Sequence, residues 1–283
     1  MPELPEVEVI CRGLAPHLEG QRLVSVSFGK KKLRLPMPTK KASALLRGET
    51  ISSVKRRAKY IIITLGNSAE IVIHLGMTGR LGIFPQGTPT VKHDHACWLL
   101  DNQMELRFND TRRFGSVQIT GPDENHNVLF SNLGPDPFWD SFSGDYLNEK
   151  ARKRTLAIKN FLMDNRVVTG IGNIYVSEIL FATGINPSTP AGFIELEEWQ
   201  RIVSKSREIL ADAISQGGTT ISDYVNSSGE KGYFQVRLKV YGRQGQPCHK
   251  CAEPIQKTII GGRASFFCPH CQPLKPGVDP IEI

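Results

Sequence analysis

No apolar run in the 283 residues reaches the roughly 20 consecutive positions that a helix needs to cross a bilayer. The opening Met-Pro-Glu-Leu-Pro-Glu is acidic where a secretory signal is basic, and no apolar stretch follows it. These two absences predict a soluble cytoplasmic protein with no membrane partner. Low-complexity segments and internal repeats are also missing, which excludes disordered and solenoid classes. Acid is scarce in one place. Residues 231 to 275 hold eight cations (Lys231, Arg237, Lys239, Arg243, Lys250, Lys257, Arg263 and Lys275) against the single acid Glu253. That local excess, eight minus one, equals the +7 of the whole chain. A second cluster is Lys55, Arg56, Arg57 and Lys59. Focused positive charge suits a polyanion, and phosphate contact is the usual source of nucleic-acid affinity.

A hydrophobic fraction of 40% is ample for buried cores, and the length suggests two domains at about 150 residues each. Residues 5 to 18 read as a helix: Pro5 suits a first turn, Val7, Ile10, Leu14 and Leu18 form one apolar stripe, and Gly20 marks the stop. Pro16 argues against its last turn. From about 22 to 120 the pattern turns to short strands, among them 23 to 28, 60 to 65, 70 to 75, 97 to 100, 105 to 109 and 116 to 120. Many short strands with little helix between them predict an antiparallel sandwich or barrel. Gly134-Pro-Asp-Pro-Phe marks a boundary. Helices are predicted at about 145 to 152, 155 to 165, 174 to 182, 195 to 215 and 219 to 226. The turn-rich 227 to 232 stretch reads as a mobile loop.

Cys248-x-x-Cys251 and Cys268-x-x-Cys271 have the spacing of a four-thiolate zinc site. Two such knuckles close a tetrahedron and leave no open position, so the metal is structural. Disulfides or free thiols are the alternatives, and the absence of a secretory signal disfavours disulfides. His249 and His270 lie beside a shell already complete, and Cys11 and Cys97 read as buried thiols. Between the knuckles, Gly261-Gly262 suits a hairpin tip that projects Arg263.

Residues 155 to 182 read helix, turn, helix. The turn Gly170-Ile-Gly-Asn-Ile-Tyr superficially matches a dinucleotide fingerprint, but Tyr175 replaces the third glycine and no strand precedes it. A helix start carrying Asn173 suits a phosphate instead, with a plain packing turn as the alternative.

The N-terminus carries distinctive chemistry. Met1 precedes a residue as small as proline, so its removal is expected, leaving Pro2 as a free secondary amine. An α-amino group titrates at about 7.7–8.0 against about 10.4 for lysine, so far more of it is nucleophilic at neutral pH. A secondary amine bonded to a sugar carbon gives a charged iminium, an electron sink that labilises neighbouring C–H and C–O bonds. Glu3 and Glu6 lie at the same helix start, where one carboxyl can serve as general acid.

Together these residues resemble the bacterial formamidopyrimidine-DNA glycosylases. The resemblance spans Pro2-Glu-Leu-Pro-Glu-Val-Glu, Arg57-Ala-Lys-Tyr, His74-Leu-Gly-Met-Thr-Gly, Lys92-His-Asp-His, Asp110-Thr-Arg-Arg-Phe-Gly, Leu162-Met-Asp-Asn, Gly170-Ile-Gly-Asn-Ile-Tyr, Gly217-Gly-Thr-Thr, Val240-Tyr-Gly-Arg and the four cysteines. It implies an α+β fold. An N-terminal antiparallel β-sandwich with a leading helix (1–134) would precede a helical domain with a helix–two-turn–helix element (135–238), a four-cysteine zinc-finger β-hairpin (239–273) and a tail (274–283). It implies removal of oxidised purines, 8-oxoguanine and formamidopyrimidines, from damaged double-stranded DNA, then cleavage of the abasic site by β,δ-elimination. By resemblance, Pro2 is the Schiff-base nucleophile, Glu3 the general acid and Glu6 its assistant. Lys59 is the proton donor for β-elimination, and Arg263 serves δ-elimination and phosphate binding. His93, Arg112, Arg154, Lys159 and Asn173 match DNA-contacting positions. Met77, Arg112 and Phe114 match residues that fill the gap left by an extruded nucleotide, as wedges in a duplex must. Read singly, Met77 and Phe114 would be core residues, and His93 with His95 would suggest a metal site. One structural zinc is expected, with no catalytic metal or organic cofactor, in a monomer. Two alternatives remain: a sister enzyme of the endonuclease VIII type, directed at oxidised pyrimidines, and a non-catalytic zinc-finger DNA binder.

Overall fold

Helix α1 (Leu4–Leu18) opens the chain in a computed structural model that describes residues 2–124, 127–217, 221–225, 231–232 and 238–275. Pro5 lies in its first turn, where the missing N–H leaves nothing unpaired. Val7, Ile10, Leu14 and Leu18 are buried together, the stripe expected from their spacing. Each contributes about 1.5–3 kcal/mol by leaving water. The helix runs through Pro16, because in the last turn proline removes one bond without breaking a continuing ladder.

β1 (Leu23–Phe28), α2 (Thr39–Leu45), β2 (Ile51–Arg57), β3 (Tyr60–Leu65), β4 (Glu70–His74), β5 (Gly79–Pro85), β6 (Asp94–Leu100), β7 (Met104–Asp110), β8 (Ser116–Thr120) and the short α3 (Asn127–Phe130) follow. Later in the chain come β9 (Ile221–Val225) and β10 (Lys231–Gly232). They build two sheets, β1-β6-β7-β5-β9-β10 and β2-β3-β4-β8. Alternation drives the burial: in β3, Ile61, Ile63 and Leu65 are buried while Tyr60, Ile62 and Thr64 are half-buried. These join Ile71 and Ile73 of β4, Trp98 of β6, Leu106 and Phe108 of β7 and the α1 stripe in one core.

A second set of elements is helical: α4 (Gly144–Ala151), α5 (Ile158–Met163), α6 (Asn173–Thr183) and α7 (Leu196–Ser215). Ser143 caps α4 by accepting the Tyr146 N–H at 3.1 Å. Gly184 ends α6 at φ +74°, a left-handed cap that glycine adopts without strain. On α7, Trp199, Ile202, Val203, Leu210 and Ala213 form the buried face, with the Trp199 ring 5.6 Å from that of Phe161. β11 (Gln256–Ile260) and β12 (Arg263–Phe267) make the expected hairpin.

Compactness divides the chain into Met1–Phe130 with Ile214–Gln235, and Ser131–Ala213 with Val236–Ile283. This differs from a linear division at 134, 238 and 273, because residues 214–235 join the first unit. Within the helix expected at 219 to 226, the described residues Ile221–Val225 form strand β9 instead. It lies parallel to β5 through Leu81↔Tyr224 and Gly82↔Val225. Ile221, Tyr224 and Val225 are strand-favouring types, and an open sheet edge outweighs the helical spacing. The expected mobile loop is described only at 231–232, within β10, and the tail only to residue 275; the remainder of both lies outside the described residues. Among the described residues no helix is long and apolar enough to cross a membrane.

Candidate active site and zinc centre

The N-cap of α1 is Glu3, in extended backbone, and Pro2 before it is buried. Glu3 and Glu6 are 2% and 6% exposed and form a reciprocal capping box, in which Glu6 Oε2 accepts the Glu3 N–H at 2.9 Å. The box fixes the backbone one residue after Pro2, so the nitrogen is held by a rigid helix start. Met1 lies outside the described residues.

Lys59 occupies the two-residue turn between β2 and β3, where Arg57 pairs with Tyr60 and Ala58 takes φ +55°. It is buried, at 8% exposure. Arg56 ties this turn to α1: its Nε donates to Glu8 Oε2 at 2.9 Å and its Nη1 to the Ala58 carbonyl at 3.2 Å. Across β3 and β4, the His74 ring lies 4.9 Å from that of Tyr60, tilted by 57°, and its Nδ1 accepts the Gly76 N–H at 3.0 Å. Burial, with the Arg34 and Lys59 cations, pushes its pKa down to about 4, so the ring is neutral at pH 7.

Met77 and Phe114 are 44% and 47% exposed, so neither is a core residue. The Arg112 guanidinium lies 4.8 Å from the centre of the Phe114 ring. His93 sits in a turn at φ +76°, and partial desolvation together with Lys92, His95, Lys31 and Arg113 lowers its pKa. His95 is buried and its Nε2 donates to the Asp110 carbonyl at 2.9 Å. That bond turns it away from metal ligation, and among the described residues the four cysteines are the only grouping able to hold an ion.

In the second unit, Arg154 is exposed after α4, and its charge helps to lower the Asp164 pKa, behind the direct hydrogen bond from Arg166. Lys159 and Asn173 are engaged within the protein. Lys159 has 0% exposure; its Nζ donates to the Ala264 carbonyl at 2.8 Å and to Ser265 Oγ at 2.5 Å. Asn173 Nδ2 donates to the same Ala264 carbonyl at 3.0 Å. Both side chains therefore fasten α5 and α6 to β12, one residue beyond Arg263. Gly261 and Gly262 turn the hairpin at φ +56° and +72°, and Arg263 is exposed at its tip. A Cβ on Gly261 would displace the Asn160 amide, and φ +56° favours glycine there. Asn160, Met163, Asp164, Gly261 and Arg263 line a cavity of about 190 Å³.

The sulfurs of Cys248, Cys251, Cys268 and Cys271 lie within 4.8 Å of one another, with pairs at 3.5 to 3.9 Å. Zn–S bonds of about 2.3 Å in a tetrahedron require edges of about 3.8 Å, so the four sulfurs fit zinc. These distances are far too long for disulfides, which need about 2.05 Å. The Lys250 N–H points at Cys248 Sγ, and the Cys271 N–H at Cys268 Sγ, each at 3.4 Å. Against burial, the N–H groups of Lys250 and Cys251 bring the Cys248 thiol down to about 7.

Sequence reasoning missed the bracing contacts made by Arg56, Thr78, Asp110, Glu178 and Ser265. Their partners are distant in sequence. Glu178, for example, is 6% exposed and accepts three backbone N–H groups, from Lys239, Val240 and Tyr241, at 2.8, 3.0 and 2.9 Å.

Comparison with known proteins bears on the whole chain. The family model of the formamidopyrimidine-DNA glycosylase N-terminal domain matches residues 1–117, that of the corresponding H2TH domain residues 133–225, and a zinc finger found in FPG and IleRS residues 245–274. Proteins named formamidopyrimidine-DNA glycosylase from Hahella chejuensis and Stenotrophomonas maltophilia are 44% and 47% identical over 272 residues, covering 96% of this chain and 100% of each relative. Among solved structures, a Lactococcus lactis FPG mutant in complex with Fapy-dG-containing DNA is similar at a TM-score of 0.87 and 32% identity, covering 96% of this chain and 100% of that one. A formamidopyrimidine-DNA glycosylase from the same organism, non-covalently bound to DNA containing an abasic site, gives a TM-score of 0.85 and 33% identity, covering 96% of this chain and 99% of that one.

Proposed function

As the chain belongs to the formamidopyrimidine-DNA glycosylase family, we propose that it removes oxidised purines from duplex DNA through a covalent bond to Pro2 and then cleaves the abasic site by β,δ-elimination. The observation that supports this reading is the Glu3–Glu6 capping box, which fixes the backbone of the residue after Pro2 and keeps two buried carboxyls at the same helix start.

The Pro2 lone pair attacks C1′ of the extruded nucleotide, the glycosidic bond breaks with its electron pair on the departing base, and the proton released from the Pro2 nitrogen passes to that base. Glu3 then acts as general acid toward the sugar ring oxygen: the C1′–O4′ bond opens, the proton moves to O4′, and C1′ becomes an iminium on Pro2. A C2′ proton is lost to solvent, its C–H electron pair flows toward this electron sink, and the C3′–O bond breaks to expel the 3′ phosphate, with Lys59 as proton donor to the leaving group. A second elimination, served by Arg263, expels the 5′ phosphate and leaves a one-nucleotide gap. Cys248, Cys251, Cys268 and Cys271 would hold zinc, which would supply structure by pinning the base of the hairpin whose tip carries Arg263. Met77, Arg112 and Phe114 fill the gap in the stack, where Arg112 donates to the orphaned base. His93 and Arg154 contact phosphates, and Lys159 and Asn173 support Arg263 from beneath.

Borohydride trapping on an 8-oxoguanine duplex tests the mechanism. A covalent adduct is expected, and its absence, with zinc and DNA binding intact, would leave a non-catalytic binder. Comparing excision of 8-oxoguanine and thymine glycol fixes the branch; a preference for thymine glycol would move the chain to the pyrimidine-directed sister type.

A further inference from the structure

The two turns bearing Met77 and Arg112–Phe114 press together backbone to backbone. A Cβ on Gly76 would lie 2.5 Å from the Gly115 nitrogen, and one on Gly115 would lie 2.7 Å from the His74 carbonyl oxygen. Gly76 takes φ +65° besides, so glycine is required there on two counts. The Gly79 N–H closes the first turn on the Leu75 carbonyl at 2.8 Å.

One hydroxyl links the turns through polar bonds. Thr78 Oγ1 donates its proton to Asp110 Oδ1 at 2.5 Å, and a lone pair on the same oxygen accepts the Arg112 N–H at 3.0 Å. Asp110, at 0% exposure, accepts the Gly115 N–H on its other carboxylate oxygen at 2.8 Å. Its own N–H donates to the His93 carbonyl at 3.1 Å, and its carbonyl accepts from His95. Asp110 is thus a hub where the turns of Met77, His93 and Arg112–Phe114 meet. Met77 and Phe114 project about half exposed, so core packing does not set their direction; the turn backbones do.

We propose that Thr78 is a positioning residue that locks the Met77 turn to the Arg112–Phe114 turn, so that the three side chains enter a duplex as one rigid wedge. The proposal rests on the reading that those three fill the space of an extruded nucleotide. A wedge must hold its shape against stacking forces of a few kcal/mol per step. Two separately mobile turns would lose part of that to ordering, and extrusion would slow while the chemistry at Pro2 stayed intact.

The test compares Thr78→Val, which keeps the shape and removes both bonds, with Thr78→Ser, which keeps the hydroxyl. Each is measured in single turnover on 8-oxoguanine opposite cytosine and on a preformed abasic site, where no damaged base has to be unstacked. T78V is expected to excise 8-oxoguanine about tenfold more slowly, the scale set by losing a hydroxyl bound to a carboxylate. Its cleavage of the abasic site stays within about twofold of wild type, because that step begins after extrusion. T78S behaves as wild type on both. Fluorescence of 2-aminopurine beside the lesion should show the slowed step to be extrusion. Unchanged excision by T78V, or equal loss on both substrates for any reason including misfolding, overturns the proposal. Wild-type protein inactive on both substrates would instead overturn the glycosylase reading and leave the bonds between the turns as they are.

Discussion

Replacing Glu178 with glutamine probes how the zinc hairpin is joined to the helices. The carboxylate accepts the Lys239 N–H on Oε2 and the Val240 and Tyr241 N–H groups on Oε1, and at 6% exposure it has little water to turn to. Hydrogen bonds to a charged acceptor are worth about 1.5–3 kcal/mol each. Glutamine keeps one acceptor oxygen, enough for two of the three donors at neutral strength, and turns an NH2 group toward the third. One bond is then lost, one buried N–H is left facing a donor, and two bonds weaken. The net cost is about 2–4 kcal/mol. At roughly 3 °C per kcal/mol for a chain of this size, the melting midpoint falls by about 6–12 °C. Calorimetry of the zinc-loaded protein reads the shift, and zinc content after dialysis against a mild chelator reports whether the hairpin has loosened. A fall of under about 2 °C with zinc fully retained would refute the reasoning, because it would mean that the three N–H groups are satisfied as well without the charge.

Intact-mass measurement of active enzyme should show Met1 removed, and protein whose Pro2 nitrogen is blocked as an amide should form no borohydride adduct while still binding DNA; an adduct from blocked protein would exclude Pro2 as nucleophile. Stripping zinc should abolish DNA binding along with thiol protection, since a four-thiolate site supplies folding energy outright, about 10–16 kcal/mol in isolated finger peptides; retained binding with four reactive thiols would separate the hairpin from DNA recognition. His74 titrates near 4 when folded against about 6.5 when unfolded, so the unfolded chain binds more protons between those values. Its contribution is therefore present above pH 6.5 and lost as pH falls toward 4, on the order of 3 kcal/mol. His74→Asn, which keeps an acceptor within reach of Gly76, should flatten that part of the stability–pH curve, and an unchanged slope would assign the acid sensitivity elsewhere.

Local pattern carried the sequence reading wherever one element sufficed. The α1 stripe, the four cysteines and the Gly261-Gly262 tip each report their structure within a few residues, and each lies where expected. What local pattern did not carry depends on partners elsewhere in the chain. Residues 221 to 225, inside a segment with helical spacing, find the edge of β5 and form β9. Lys159 reads as one more cation for phosphate until Ser265, 106 residues later, takes its ammonium. Asp110 looks like a flank of the Arg112–Arg113 pair, yet its carboxylate joins Thr78 to Gly115. Motif resemblance supplied roles for Lys59 and Arg263, which composition alone would have left as solvated cations.

The chain leaves its first unit after Phe130 and returns only at Ile214. Strand β5 meanwhile pairs with β7 on one side, and its other side waits for β9. At about 5–20 residues per second, a ribosome needs on the order of ten seconds to make the missing strand. For that interval the nascent sheet shows an unpaired border to every neighbouring polypeptide, the usual starting point of edge-to-edge association. Faster elongation through the intervening helices shortens the hazard, and a circular permutant that delivers β9 ahead of β5 removes it.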